Sequence, residues 1–144
     1  MDACGQRSNF KKLTSVQGLS HHTVYAITQD DKGFVWLGTR EGLNRFDGNE
    51  IKSYYITGRL GGSTNQINAL LSLGSMLYVG TNEGLYIYDQ TEERFRMQKE
   101  IGKRAIRFLT RAGDNIFVGT NSGLFKLIYF INLLISIKIR IIFH

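Results

Sequence analysis

One motif recurs three times and limits what this chain can fold into: WLGTREGL (36–43), YVGTNEGL (78–85) and FVGTNSGL (117–124). Aligning Gly38, Gly80 and Gly119 gives spacings of 42 and 39 residues. A period near 40, with several short strands in each unit, is the signature of stacked β-propeller blades.

Each unit resolves strand by strand. The first strand is TVYAITQ (23–29), QINALLS (66–72) and AIRFLTR (105–111), followed by the turns DDKG, LGS and AGDN. Gly33, Gly74 and Gly113 supply the positive φ that a tight reversal requires. The second strand, FVWLG, MLYVG or IFVG, is apolar on both faces, the pattern of a strand buried between neighbouring sheets. The shared turn then places Thr39, Thr81 and Thr120 before it and Gly42, Gly84 and Gly123 after it. This spacing predicts a type I turn closed by a left-handed glycine, a three-residue loop with a bulge. Third strands (LNRF, LYIY, LFKL) lead to Asp47-Gly48 and to Asp89, both turn formers. The outer strands IKSYYI (51–56) and RFRMQ (94–98) alternate and are more polar, as edge strands are.

The fold class read from these units is all-β, an incomplete propeller of about three four-stranded antiparallel blades. A leader remnant (1–8) precedes NFKKLT (9–14), which resembles the outer strand EIKSYYIT and is expected to serve a distant partner blade. Blades follow at 18–57 and 66–98, then a partial blade of three strands at 105–127. Propellers close with roughly four to eight blades, and open stacks leave strand edges bare, so these units read as part of a larger ring.

The repeat breaks at Leu127. Ile128 stands where Asp47 and Asp89 stood, and an isoleucine-rich tail (128–144) follows. Its apolar run is interrupted by Asn132, Lys138 and Arg140, short of the roughly 20 residues of a membrane span. The leading reading is an interruption of the reading frame or gene; an outer strand and a membrane anchor are the other two. Such a β-prone run is an aggregation hazard.

The formal charge of +6 divides into +4 before residue 127, where all 12 acidic residues lie, and +2 from Lys138 and Arg140. Arg94, Arg96, Lys99, Lys103, Arg104, Arg107 and Arg111 form a dense basic segment with only Glu100 inside it. A polyanion-binding face is one reading, a solvated outer strand and loop the preferred one. No nucleic-acid motif surrounds it, so no nucleic-acid partner is expected. Cys4 is the single cysteine, which excludes an internal disulfide, and no apolar h-region of a signal peptide is visible.

Catalytic signatures are absent: no nucleophile elbow, phosphate loop or His-Glu metal motif occurs. The chain is expected to be no enzyme, with no cofactor and no metal. Asp30 and Asp31 read as turn chemistry, and Glu41 and Glu83 as solvated hairpin tips. His21 and His22 precede the first strand at a blade connection and are weak ligand candidates, lacking a third metal ligand. Arg40 is a further weak candidate, because Asn82 and Asn121 hold the matching positions. Trp36, Tyr78 and Phe117 repeat at one position and read as blade packing rather than sugar stacking.

Residues GLSHHTVYAITQDDKGFVWLGTREGLNRFDG (18–48) resemble a two-component regulator propeller repeat, and the resemblance extends over roughly 9–127. It implies the sensor region of a hybrid two-component histidine kinase, exported to the periplasm and in many cases regulating polysaccharide use. A glycan or other small solute, missing blades and kinase modules are the partners it implies. No phosphoacceptor-His helix, ATP motif or receiver aspartate lies in these residues, so no signalling catalysis is assigned to them. A non-catalytic protein-interaction propeller is the alternative function.

Overall fold

The computed structural model describes residues 9–57, 63–128 and the backbone of 139–142. Three antiparallel sheets of four strands form among them, each ordered along the chain. Blade 1 comprises β1 (Val24–Gln29), β2 (Val35–Thr39), β3 (Gly42–Phe46) and β4 (Ile51–Tyr54). Blade 2 comprises β5 (Ile67–Leu73), β6 (Met76–Thr81), β7 (Gly84–Asp89) and β8 (Arg94–Met97). Blade 3 comprises β9 (Ile106–Ala112), β10 (Asn115–Thr120), β11 (Gly123–Ile128) and β12 (Ile139–Ile142). The first strands of consecutive blades lie against one another, β1 on β5 and β5 on β9, and line the inside of an arc.

Two cores fill the spaces between blades. Trp36, Leu43, Ile67, Leu70, Leu77, Val79 and Tyr88 pack between blades 1 and 2. Ala69, Tyr78, Leu85, Ile101, Ile106, Ile116, Val118 and Phe125 are among those packed between blades 2 and 3. The continuous apolar run of β6 follows directly: Leu77 and Val79 serve one core while Tyr78, one residue out of phase, serves the other. A strand's side chains alternate between faces, so a strand with sheets on both sides must be apolar at every position.

The glycine of the repeated motif sets how closely blades approach. A Cβ on Gly38 would lie 2.5 Å from Ile67 Cγ2, and one on Gly80 would lie 2.5 Å from Ile106 Cγ2. Each glycine is therefore a hole that receives the first inward residue of the next blade.

Three expectations need correction. The first concerns NFKKLT (9–14), which forms no strand; Phe10 stands 97% exposed. A strand needs a ladder of paired backbone groups, and residues 9–14 pair with none of the three sheets among the described residues. The second concerns blade 3, which has a fourth strand, because β12 pairs with β11 from Leu124↔Ile142 to Leu127↔Ile139. Part of the tail thus takes the place of the expected Asp-led outer strand, while Ile128 ends β11 opposite Asn115. Residues 129–138, like the leader 1–8, lie outside the described residues.

The third correction concerns the turn. Thr39 pairs with Gly42, Thr81 with Gly84 and Thr120 with Gly123, so the loop between them has two residues. Gly42 lies outside the left-handed region, and Gly84 and Gly123 adopt φ of 120° and 130° rather than the αL value. Threonine organises the turn instead. Its hydroxyl donates to the glycine carbonyl (3.1, 2.9 and 2.7 Å in blades 1 to 3). It also accepts from the N–H two residues on (3.1, 3.0 and 3.1 Å). Side-chain bonds of this kind stand in for backbone turn bonds.

Candidate functional site

Each inner strand carries a β-bulge at the same rung. The register skips Tyr25 between Val24 and Ala26, Asn68 between Ile67 and Ala69, and Arg107 between Ile106 and Phe108. Bulges re-aim a side chain and collect at the rims of sheets and beside binding sites. Here the three bulged residues are a phenol, an amide and a guanidinium, one from each blade.

The hairpin tips come to the same rim. The backbone N–H of Arg40 donates to Thr23 O (3.1 Å), that of Asn82 to Gln66 O (3.3 Å) and that of Asn121 to Ala105 O (3.1 Å). Each tip is thereby tied to the residue that enters the inner strand. In blade 2 the tip and the bulge touch: Asn68 Nδ2 donates to Asn82 Oδ1 (2.8 Å) and across the blade gap to Ile106 O (3.0 Å). Asn68 thus fixes the spacing of blades 2 and 3, while Tyr25 and Arg107 remain exposed on either side.

The residues singled out from sequence fall near this rim at blade 1. Arg40 is exposed at its tip. His21 and His22 stack with ring centroids 4.3 Å apart, and His21 Nδ1 accepts from the Thr23 N–H (3.0 Å), an arrangement that orders the entry to β1. No group of three or more metal-ligating side chains occurs among the described residues.

Several polar roles are not legible in sequence. Asp30 is 6% exposed; it is not simple turn chemistry. One carboxylate oxygen accepts from the Lys32 and Phe34 N–H groups (both 3.0 Å) and the other from Trp36 Nε1 (2.8 Å). This locks the indole that fills the first core. Glu83 is not a solvated tip either: it is half-buried and accepts from Thr64 Oγ1 (2.6 Å). Buried Asn44 binds Ser20 through both its oxygen and its nitrogen and accepts from Ser53 Oγ (2.8 Å), holding the chain entry onto blade 1. A signal for Asn44 exists in its departure from the aromatic residues Tyr86 and Phe125 at the matching positions.

The basic segment is divided by the fold. Arg94 and Arg96 lie on the outer strand of blade 2, where Arg96 pairs with Glu92. Arg107 and Arg111 lie on the inner strand of blade 3. Arg104 Nε donates to Ser122 Oγ (3.0 Å), and its guanidinium sits 5.3 Å from the Phe125 ring centroid. Arg107 at the bulge and Arg104 at the blade 3 tip reach the rim, whereas Arg111 lies toward the far end of the inner strand.

Residues 18–41, which span the first inner strand, its bulge and the threonine of the turn, match the family model described as two component regulator propeller. The chain carries a two-component regulator propeller repeat at these residues. A 51-residue stretch, 34% of this propeller chain, is 51% identical to Histidine kinase P4 of Formosa agariphila. The extracellular domain assigned to a hybrid two component system of B. thetaiotaomicron superposes with a TM-score of 0.70 at 28% identity, over 82% of this chain. A second extracellular domain from that organism, assigned to a one component system, matches in fold with a TM-score of 0.68 at 24% identity, over 88% of this chain. The chain spans 4% of the curated relative and 18% and 17% of the two solved domains. No helix among the described residues is long and apolar enough to cross a membrane.

Proposed function

We propose that these blades are part of a periplasmic ligand-sensing propeller that recognises an acidic glycan along its inner rim. The observation that carries the reading is the equivalent placement of three bulged side chains, Tyr25, Asn68 and Arg107, with Arg40 at a neighbouring tip. An aromatic face supports a sugar ring, and a guanidinium matches a carboxylate or sulfate in a two-bond geometry. Asn68 contributes by holding two blades in register, so the groups flanking it are preset rather than ordered on binding. A ligand that spans the blades would bias their packing, and in a complete sensor that bias is what a membrane-coupled kinase would read. The chain's own residues bind and orient; no bond is made or broken by them.

Calorimetric titration of the 144-residue chain with an oligogalacturonate, against a neutral cello-oligosaccharide, tests this. The acidic sugar is expected to bind and the neutral one to bind at least about tenfold more weakly. Arg107→Ala and Tyr25→Ala should each lower the acidic sugar's affinity about tenfold, a loss near 1.4 kcal/mol. Arg94→Ala, on the outer strand, should leave it unchanged. Binding of neither sugar, or equal losses in all three variants, would overturn the reading.

A further inference from the structure

One place in the repeat changes charge from blade to blade. The tip N–H groups bond the carbonyls of Thr23, Gln66 and Ala105, so the residue pairs just before these are equivalent. They are His21-His22, Thr64-Asn65 and Lys103-Arg104, the entries to β1, β5 and β9. The last loop residue of each tip is Glu41, Glu83 or Ser122. Entry and tip touch: Thr64 Oγ1 donates to Glu83 (2.6 Å) in blade 2, and Arg104 Nε donates to Ser122 Oγ (3.0 Å) in blade 3. Blade 2 therefore sets a carboxylate beside two neutral side chains, whereas blade 3 sets two cations beside a hydroxyl.

The blade 3 guanidinium is held in one pose. Ile101, fully buried in the second core, anchors the connection that leads to it. The backbone of that connection closes through Gln98 N–H on Leu85 O (2.8 Å) and Ile101 N–H on Gln98 O (3.3 Å). Besides Nε on Ser122, Arg104 Nη1 donates to Ile101 O, and the Phe125 ring centroid lies 5.3 Å from the guanidinium carbon. These bonds leave both Nη2 hydrogens free among the described residues. The Ser122 hydroxyl accepts from Nε and keeps its own hydrogen to donate. Nε and Nη2 share one edge of the planar fork, so Nη2–H and Oγ–H stand side by side on an exposed surface.

No carboxylate among the described residues pairs with Arg104 or Lys103. Glu100 stands exposed earlier in the connection, and Glu92 is taken by Arg96 on the outer strand of blade 2. A glutamate at position 122, as at 41 and 83, would set the chain's own carboxylate against the Arg104 fork. Serine leaves that place open. Both blades that frame it lie within the described arc: Phe125, under the guanidinium, packs in the core between blades 2 and 3.

We propose that Arg104 and Ser122 form a second oxyanion subsite, which takes a further acidic group of the ligand whose first acidic group lies on Arg107. The proposal rests on the acidic-glycan reading of the rim. Arg104 and Arg107 are three residues apart, at most about 11 Å of extended chain, so a single oligosaccharide reaches both. The carboxylate or sulfate accepts from Nη2 and from the Ser122 hydroxyl, charge-assisted bonds that gain from a donor pair already in place. Lys103 adds positive charge beside the subsite without a fixed geometry. The pair of cations selects sugars that carry at least two acid groups over sugars that carry one.

Calorimetric titration of the full chain with trigalacturonate and with galacturonate monomer tests this. The trimer engages both cations and should bind at least about tenfold more tightly than the monomer. Arg104→Gln, and Ser122→Glu, which hands Arg104 an internal carboxylate, should each lower trimer affinity about tenfold. Ser122→Gln has the size without the charge, and its loss should be smaller by at least about threefold. Both positions are exposed, so the circular dichroism spectra should match wild type. The outcomes separate the two readings. Trimer binding that falls with Arg107→Ala but with neither Arg104→Gln nor Ser122→Glu would overturn the subsite and leave the rim reading standing. Equal losses for Ser122→Glu and Ser122→Gln, or a trimer no tighter than the monomer, would do the same. A wild-type chain that does not bind the trimer would overturn both.

Discussion

The junction between blades 1 and 2 and the free face of blade 3 are built from the same repeat and differ in nearly every consequence. At the junction, Trp36 is fully buried, with Tyr54 and Tyr88 ring centroids 5.6 and 5.7 Å away and its indole N–H on Asp30. At the free face the matching Phe117 is half-buried. Gly80 receives an isoleucine from the next blade; Gly119 receives a phenylalanine from its own. A Cβ on Gly84 would lie 2.8 Å from the Gly102 carbonyl oxygen, whereas one on Gly123 would have nothing within 4 Å. A repeated motif therefore has a fixed conformation but an energetic weight set by its neighbour.

Urea unfolding of paired variants puts this difference at risk. The largest effect is expected at the aromatic position: Trp36→Ala should cost about 3–5 kcal/mol, the usual range for a buried aromatic. Phe117→Ala, partly solvated, should cost about half as much or less. Equal losses would mean that the free face is covered as fully as the junction. For the glycines, Gly80→Ala should cost about 1–3 kcal/mol through overpacking. Gly119→Ala should cost under about 1 kcal/mol, because the exposed Phe108 ring can turn aside.

The turn threonines give a smaller contrast. Thr81→Val removes two bonds from a fully buried hydroxyl and should cost about 1–2 kcal/mol. Thr120→Val, at an exposed turn, should cost a few tenths, since water replaces the lost partner. The least effect near neutrality is at Tyr88, whose phenol is raised well above its ordinary value of 10.0, mainly by burial. A raised folded pKa means that stability is full below pH 10 and falls as the pH rises beyond it. Melting temperatures at pH 9 and pH 11 should show that fall, and Tyr88→Phe should blunt it.

Much of this is legible in the chain itself. The repeat, the four strands per blade, the glycines and the packing role of Trp36 and Tyr78 follow from spacing and apolar period alone. The turn is ambiguous from spacing because G-T-x-x-G fits two loop lengths; which one forms depends on whether threonine or glycine closes the last rung. Asp30 escapes notice because Asp-Asp-Lys-Gly makes a good turn without any partner, and the indole it holds lies six residues on. The candidate rim is invisible for a similar reason. A bulge is a slip in pairing between two strands, and neither strand records it alone.

The order of residues dictates the repeating unit: strands, turns and an apolar period that demands a sheet on each side of β6. These are local or strictly periodic properties, and a 40-residue repeat states them three times. What each copy of the unit does is settled by packing. Packing sets Ile67 and Ile106 into glycine holes, leaves Val24 and Phe108 bare, pairs β12 with β11, and brings Tyr25, Asn68 and Arg107 to one rim. Those outcomes depend on which blade lies next door, and adjacency is a property of the packed arc rather than of any single repeat.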